Sequence, residues 1–447
     1  MKIAVVHFGK GPDLDENEQN LLDLNIKAAK DGADLIVNPE LSIVPLSSSS
    51  PLRRSSQAED VAQSRAFARW FATDRGPRFI ERLRAEVIAP YRTHIVVGTI
   101  RSVPKYTTLY NSAFVIGPND FEYVYDKRAL TSDVAFAAQG ASALLPARLP
   151  IGNVGVMICG DYSVPLISRS LALNSSDIIV IPAAITAPTA DTLKVRALEN
   201  GIPFALANSY DRDTDWSGQI ESAIVAADGT VRACRDNHTS DILWADLDLS
   251  DPDIQRLRAE KRRGRRPDLY KGALVDLTSP LLRTPTNEAV QPETWVITVS
   301  GEAVSQYTAS HQLNDVITAA SWNQVPVVLV LPELDAAKQD IQAHIRFASD
   351  RNIYLACGYS ENSVPMLSLY TSAGEEIIKR QRVHLPVEQN DNDRASERIE
   401  HYVDLPIGRV GVLAGEDLLY PEALEVHRNA GVDLVLAPAR LNFDGAI

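Results

Sequence analysis

GVMICGDYSVP, Gly155–Pro165, decides how the rest of the chain is read. Val154, Val156, Met157 and Ile158 form an apolar run with the character of an interior strand, and Tyr162, Ser163 and Pro165 supply capping and first-turn chemistry for a helix. Cys159 is therefore predicted on the turn between them. Backbone N–H groups and the positive end of a helix dipole there favour thiolate, the reactive form of cysteine. Gly160 lets the chain pass closely and offers its N–H to a developing oxyanion. A cysteine in such a place is usually just a small buried residue, so the weight falls on what surrounds it.

On the N-terminal side, Ile3–Val6 read as a strand, and Leu22, Ile26 and Ala29 share one face of a helix that Gly32 closes. ADLIVNPEL, Ala33–Leu41, is a second apolar strand ending at Glu40, a position where α/β folds gather catalytic groups. The polar, charged stretch Ser47–Arg75 reads as a surface insertion. His94–Ile100 form a further strand, and Tyr110–Ile116 with Glu122–Tyr125 form a hairpin turning through Gly117, Pro118, Asn119 and Asp120. Lys127 follows that hairpin directly, in YDKRAL.

Glu40, Lys127 and Cys159, each at the end of an apolar strand, together resemble the nitrilase superfamily of carbon–nitrogen hydrolases. The likeness runs from Lys2 to about Tyr270. GADLIVNPEL resembles the glutamate motif, YNSAFVIGPNDFEYVYDKRAL the lysine hairpin and IGNVGVMICGDYSVP the nucleophile turn; DIIVIPAA, VRALENGIPFALANSYD, SGQIESAIVAADGTV and RRPDLY resemble later segments. The resemblance implies an α/β fold, an α-β-β-α sandwich with a Glu-Lys-Cys set, and homo-oligomers built by stacking sandwiches. Three departures accompany it. Gly160 stands where a larger residue is common, Ala129 stands where histidine often follows the lysine, and Arg128–Pro150 holds no glutamate, leaving Asp133 as the candidate auxiliary carboxylate.

The chemistry these residues allow is acyl transfer through a thioester. Glu40 would serve as general base, its pKa raised if a second carboxylate shares its pocket, while Lys127 and the Gly160 N–H would hold the oxyanion. Neither metal nor organic cofactor is required. A Cys-His protease would need one of His7, His94 or His238, none of which has a catalytic neighbourhood, and no histidine pair has metal-ligand spacing. Arg196 and Glu199 read as structural, and the basic run Lys261–Arg266 as solvated or anchoring.

Composition narrows the partners. A chain of 447 residues implies two domains, and 44 basic against 58 acidic residues give 44 − 58 = −14, which argues against nucleic acid or an anionic membrane. MKIAVVHFG enters a strand directly, without a secretory signal, and no spanning segment follows. Cys159, Cys234 and Cys357 are far apart and odd in number, so a reducing cytoplasm is expected.

The chain also repeats itself. Ile3–Val6 and Glu40 have counterparts 293 positions on, in Val296–Val299 and Glu333; Lys127, Cys159 and Pro182 have theirs 255 or 256 positions on, in Arg382, Gly415 and Pro438. A catalytic domain, 1–277, is thus expected before a degenerate partial copy, 293–447, across a linker Thr278–Pro292. Gly415 has no nucleophile, Cys357 reads as a core thiol, and the copy lacks any counterpart of Val195–Tyr270, so its sheet should pack on something. The expected function is hydrolysis of a small non-peptide amide or N-carbamoyl group, with nitriles and acyl transfer as chemical neighbours. A binding or regulatory protein on the same scaffold is the rival class.

Overall fold

The computed structural model describes residues 1–46, 50–52, 57–103, 107–212, 221–268, 294–299, 304, 308, 310–337, 341–362, 364–384, 402–413 and 415–439. The chain divides into two compact units, Met1–Arg262 and Arg263–Ile447. The expected linker Thr278–Pro292 lies outside the described residues, as do Ser47–Ser49 of the insertion.

The first unit is organised around β1, Lys2–Lys10, which is apolar on both faces. Ile3 and Val5 join one buried layer, while Ala4, Val6 and Phe8 join another with Leu21, Leu22, Phe71 and Phe79. A strand covered on both sides has no polar face to alternate with, hence the unbroken run IAVV. β1 pairs in parallel with β2, Leu35–Val37, which pairs in parallel with β3, His94–Ser102. β4, Leu109–Gly117, and β5, Phe121–Asp126, complete that side as an antiparallel hairpin, with Asn119 and Asp120 at φ 59° and 56° in its turn. β12, Asp241–Asp246, lies antiparallel along Lys2–His7.

Beyond His7, β1 changes partner. Phe8–Lys10 pair in parallel with β9, Phe204–Asp211. The order continues through β8, Ile178–Ala183, to β7, Gly152–Val156, and β6, Ala147–Leu149; β10, Ser222–Val225, pairs β9 and β11, Val231–Arg235. Helices Leu14–Lys30 and Gly76–Leu83 cover the first half, and Pro165–Leu173 and Ala190–Asn200 pack with the second. This is the expected α-β-β-α sandwich. Because β1, β2, β7, β8 and β9 run parallel and β5 is parallel to β3 through two antiparallel steps, the segments after β2, β5, β7 and β8 leave the sheets at one edge.

Two local expectations are corrected. From Ala58 the supposed surface insertion is helical, Ala58–Trp70, and continues through the wide turn Phe71–Arg75 into Gly76–Leu83. Its polar composition hid an apolar stripe, with Ala68, Phe71, Ala72 and Phe79 buried, and its arginines Arg75 and Arg82 pair with Glu18 at 2.7 and 2.6 Å. Second, Cys159 does lie on the turn between strand and helix, as expected, but not directly against the α-helix N-terminus. A short 3₁₀ turn, Cys159–Ser163, intervenes before the helix begins at Pro165.

In the second unit, β13, Trp295–Thr298, β14, Val327–Ala337, β15, Tyr354–Glu361, β16, Val364–Tyr370, and β17, Glu376–Gln381, form one sheet in that order. β18, Tyr402–Leu405, β19, Gly408–Val412, and β20, Leu434–Leu436, form another. Val328, Val330, Leu367 and Leu369 pack with Val410, Val412 and Leu436 between them, and Cys357 is fully buried. Among the described residues, no helix of the chain is long and apolar enough to cross a membrane.

Candidate active site

The loops after β2, β5 and β7 bring Glu40, Lys127 and Cys159 together. The Lys127 ammonium lies 2.7 Å from Glu40 Oε1 and 2.7 Å from Asp133 Oδ2, so the aspartate proposed as auxiliary carboxylate does reach the cluster. Asn111 Nδ2 donates to the same Glu40 oxygen at 2.7 Å, and the Cys159 thiol lies near enough to the Glu40 carboxylate to feel its charge. With Oε1 held by two donors, the other carboxylate oxygen has lone pairs to spare for the thiol proton. The thiol also lies 3.9 Å from the Ala184 oxygen at the end of β8. Glu40 is 4% exposed, Lys127 1% and Cys159 9%, so all three are buried.

Electrostatics distribute the charges. Burial would lower the Lys127 pKa, but Glu40, the Cys159 sulfur and Asp133 outweigh it, and the ammonium is fixed. Burial pushes Glu40 up; the Lys127 charge and the bonds from Lys127, Cys159 and Asn111 bring it below the ordinary carboxylate value. Asp133 is instead raised above its ordinary value, by burial and then by the charge of Glu40. This reverses the expectation for Glu40, because the shared ammonium and two further donors serve it better than its neighbour. The expected thiolate is reversed too. Burial and the adjacent carboxylate raise the Cys159 thiol and outweigh the Lys127 charge that pulls it down. At rest the sulfur is protonated and needs a base.

Backbone geometry at the turn is special. Cys159 has φ 45°, a left-handed conformation that few L-residues take and that presents its side chain sharply. Gly160's N–H precedes the first hydrogen bond of the 3₁₀ turn, which runs from Asp161 N–H to the Ile158 oxygen. A Cβ at Gly160 would stand 3.0 Å from the Ala129 oxygen. The turn is locked by Asp161, whose carboxylate accepts from the Ile158, Arg128 and Ala129 N–H groups at 3.0, 3.1 and 2.6 Å and from the Tyr125 hydroxyl at 2.8 Å. Asp161 thus ties the nucleophile turn to the lysine hairpin.

Sequence reasoning missed Asn111, Asp161 and Lys10. The histidines weighed for a Cys-His enzyme are engaged elsewhere: His7 with Ser222 and the Asn237 oxygen, His94 with the Asp34 oxygen and His238 edge-on to Tyr210. Arg196 makes two bonds to Glu199, at 2.9 and 2.8 Å, in the structural role expected. Among the described residues no group of three or more His, Cys, Asp or Glu is placed to hold a metal ion.

Gly98 of β3 backs directly onto the Glu40 turn. A Cβ there would lie 2.6 Å from the Pro39 oxygen, 2.7 Å from Leu41 N and 2.8 Å from Glu40 Cα, all main-chain atoms that must shift together. Gly98→Ala is therefore expected to cost about 1–3 kcal/mol in urea unfolding and to lower turnover by about tenfold or more through displacement of Glu40. An unchanged rate would show that the turn yields freely.

A family model described as carbon-nitrogen hydrolase matches residues 2–256, more than half of the chain. A nitrilase of Pyrococcus abyssi is 28% identical over 254 residues, covering 55% of this chain and 90% of its own length. A citrullinase of Francisella tularensis is 25% identical over 291 residues, 60% of this chain and 96% of its own. The crystal structure of a carbon-nitrogen hydrolase from Helicobacter pylori superposes with a TM-score of 0.52 at 19% identity, covering 62% of this chain and 98% of that one, a likeness of fold.

Proposed function

The chain belongs to the carbon-nitrogen hydrolase family, and from that premise we propose that Glu40, Lys127 and Cys159 hydrolyse a small non-peptide amide or N-carbamoyl group through a thioester on Cys159. Glu40 takes the thiol proton as sulfur attacks the carbonyl carbon, and the C=O electron pair moves onto oxygen. Lys127 and the Gly160 N–H stabilise that oxyanion. Its collapse breaks the C–N bond, and the proton held by Glu40 leaves with ammonia or amine. Glu40 then deprotonates a water that attacks the thioester; the acid departs and the thiol regains its proton. Asp133, 2.7 Å from the ammonium on its other side, helps to hold Lys127 in place.

One observation carries this reading: a base and a fixed cation 2.7 Å apart share one buried cluster with a thiol, the three coming from separate strand ends. The test is intact-mass analysis of wild type and Cys159→Ala exposed to a panel of amides, N-carbamoyl compounds and nitriles. An acyl adduct on wild type alone is expected. An adduct that survives Cys159→Ala, or none with any compound, would sink the assignment and favour a binding protein.

We further propose that the second unit is a partial, inactive copy of the first. In support, β13–β17 follow the order and directions of β1–β5, and β18–β20 those of β6–β8. Gly415 has φ 54° where Cys159 has 45°. Asp417 accepts from Val383 N, His384 N, His384 Nδ1 and Arg380, much as Asp161 does from its own four donors. Arg382 Nη1 bonds both Glu333 oxygens, at 2.9 and 3.1 Å, and the two side chains fill the space that a Cβ at Gly415 would enter. Glu333→Gln should leave turnover within about twofold of wild type, since surface or relic sites seldom move the chemical step. Loss of turnover with the fold intact would contradict the proposal.

A further inference from the structure

A fully buried ammonium stands beside this cluster with no part in the reaction above. Lys10 ends β1 without solvent exposure, and its Nζ donates to the main-chain oxygens of Glu40 at 2.7 Å and Leu41 at 2.9 Å. Those carbonyls belong to a strained turn, in which Leu41 takes φ 43° although it has a full side chain. Gly98 presses on the same turn, and Ser42 Oγ donates to the Pro39 oxygen at 2.7 Å. Lys127 and Asn111 grip the carboxylate end of Glu40; Lys10 grips its main-chain end.

Burying an ammonium is costly, and lysine is rarely buried so fully unless the position demands it. Burial lowers this one to about 7, with only Glu40 and Cys159 opposing the shift. Lys10 lies in the segment where β1 has left β12 and pairs with β9, opposite Asp211, and its own carbonyl accepts from Arg212 N at 2.9 Å. It is therefore anchored where the two halves of the sandwich meet.

We propose that Lys10 is a positioning residue for Glu40, holding the Glu40 and Leu41 carbonyls so that the strained turn keeps the carboxylate aimed at the Cys159 thiol. This rests on the reading of Glu40 as the base for that thiol.

The test needs no substrate. Carbamidomethylation of Cys159 by iodoacetamide at neutral pH is followed by peptide mapping, which separates it from Cys234 and Cys357, in wild type, Lys10→Met, Glu40→Gln and the double variant, with unfolding midpoints as fold controls. Lys10→Met and Glu40→Gln are each expected to slow labelling by about 100-fold, because the loss of a placed general base for the buried thiol outweighs any relief from the carboxylate's charge. The double variant is expected to be no more than about threefold slower than Glu40→Gln alone, because the two act through one path. Should Lys10→Met fail to fold, Lys10→Gln, whose shorter amide cannot span both carbonyls, is read the same way. If Glu40→Gln slows labelling while Lys10→Met does not, or if the two effects multiply in full, the inference about Lys10 is overturned and the base assignment stands. If Glu40→Gln leaves labelling unchanged, both fall.

Discussion

Lys127→Met is expected to lower turnover by at least about 10³-fold, on whichever compound of the panel acylates Cys159. Two losses combine. The oxyanion loses its charged partner, and Glu40 and Asp133 are left facing each other without a counterion. In wild type the Lys127 charge holds Glu40 below its ordinary value. Without it, burial and mutual repulsion raise both carboxyls, Glu40 is protonated near neutrality, and no base remains for the thiol.

The same substitution should cost about 3–5 kcal/mol of stability near neutral pH, the usual penalty for removing one partner of a buried ion pair. The sign of its pH dependence is fixed. Carboxyls whose folded pKa is raised above the unfolded value bind protons more tightly in the folded state. Their contribution is intact below the unfolded value, about 4, and lost as pH rises through the folded one. The deficit of Lys127→Met should therefore shrink as the solution is acidified from neutrality toward about pH 4. Urea midpoints across that range, beside wild type, check it; a deficit that grows on acidification would mean that Lys127 is not the counterion of the pair.

Much of this arrangement was legible from local pattern. Glu40, Lys127 and Cys159 each end an apolar run, and a run that stops at a chemically active residue declares a strand end even to a reader without coordinates. The hairpin before Lys127 was equally open, since Asn119 and Asp120 are among the few side chains that tolerate φ near 60°. What stayed hidden depends on contacts between distant segments. Lys10 closes KIAVVHFGK and looks like a solvated strand end; only the change of pairing from β12 to β9 buries it. The thiolate was misjudged because the sequence does not show how deeply the sulfur is buried or that the Glu40 charge lies beside it. The helix at Ala58–Trp70 was misjudged because Glu59, Asp60, Arg65 and Arg69 drew attention from the apolar residues between them, of which Ala68 is fully buried.

Asp161 is the second residue whose loss should be severe, and it too was invisible in sequence, since its four donors come from Tyr125, Arg128, Ala129 and Ile158. Asp161→Ala strands three backbone N–H groups and a phenol in the interior, each worth about 1–3 kcal/mol when left unpaired. A total loss of about 4 kcal/mol or more is expected, in the range reserved for breaking a buried network. Turnover should fall even in whatever fraction stays folded, because the nucleophile turn is no longer tied to the Lys127 hairpin. Asp417 in the second unit provides the control. Its carboxylate, though buried, is held below its ordinary value by His384 and Arg380, whereas burial dominates at Asp161 and holds it above. Asp417 therefore contributes stability that is present above the unfolded pKa and lost as pH falls through the folded one, from about pH 4 downward, while Asp161 contributes with the opposite sign. Protection of amides in 408–412, corrected for the intrinsic slowing of exchange in acid, should fall on acidification while that of 152–156 does not, and Asp417→Asn should remove the difference. If the order is reversed, the bonds from Arg380 and His384 do not govern Asp417, and the two latches share less chemistry than their geometry suggests.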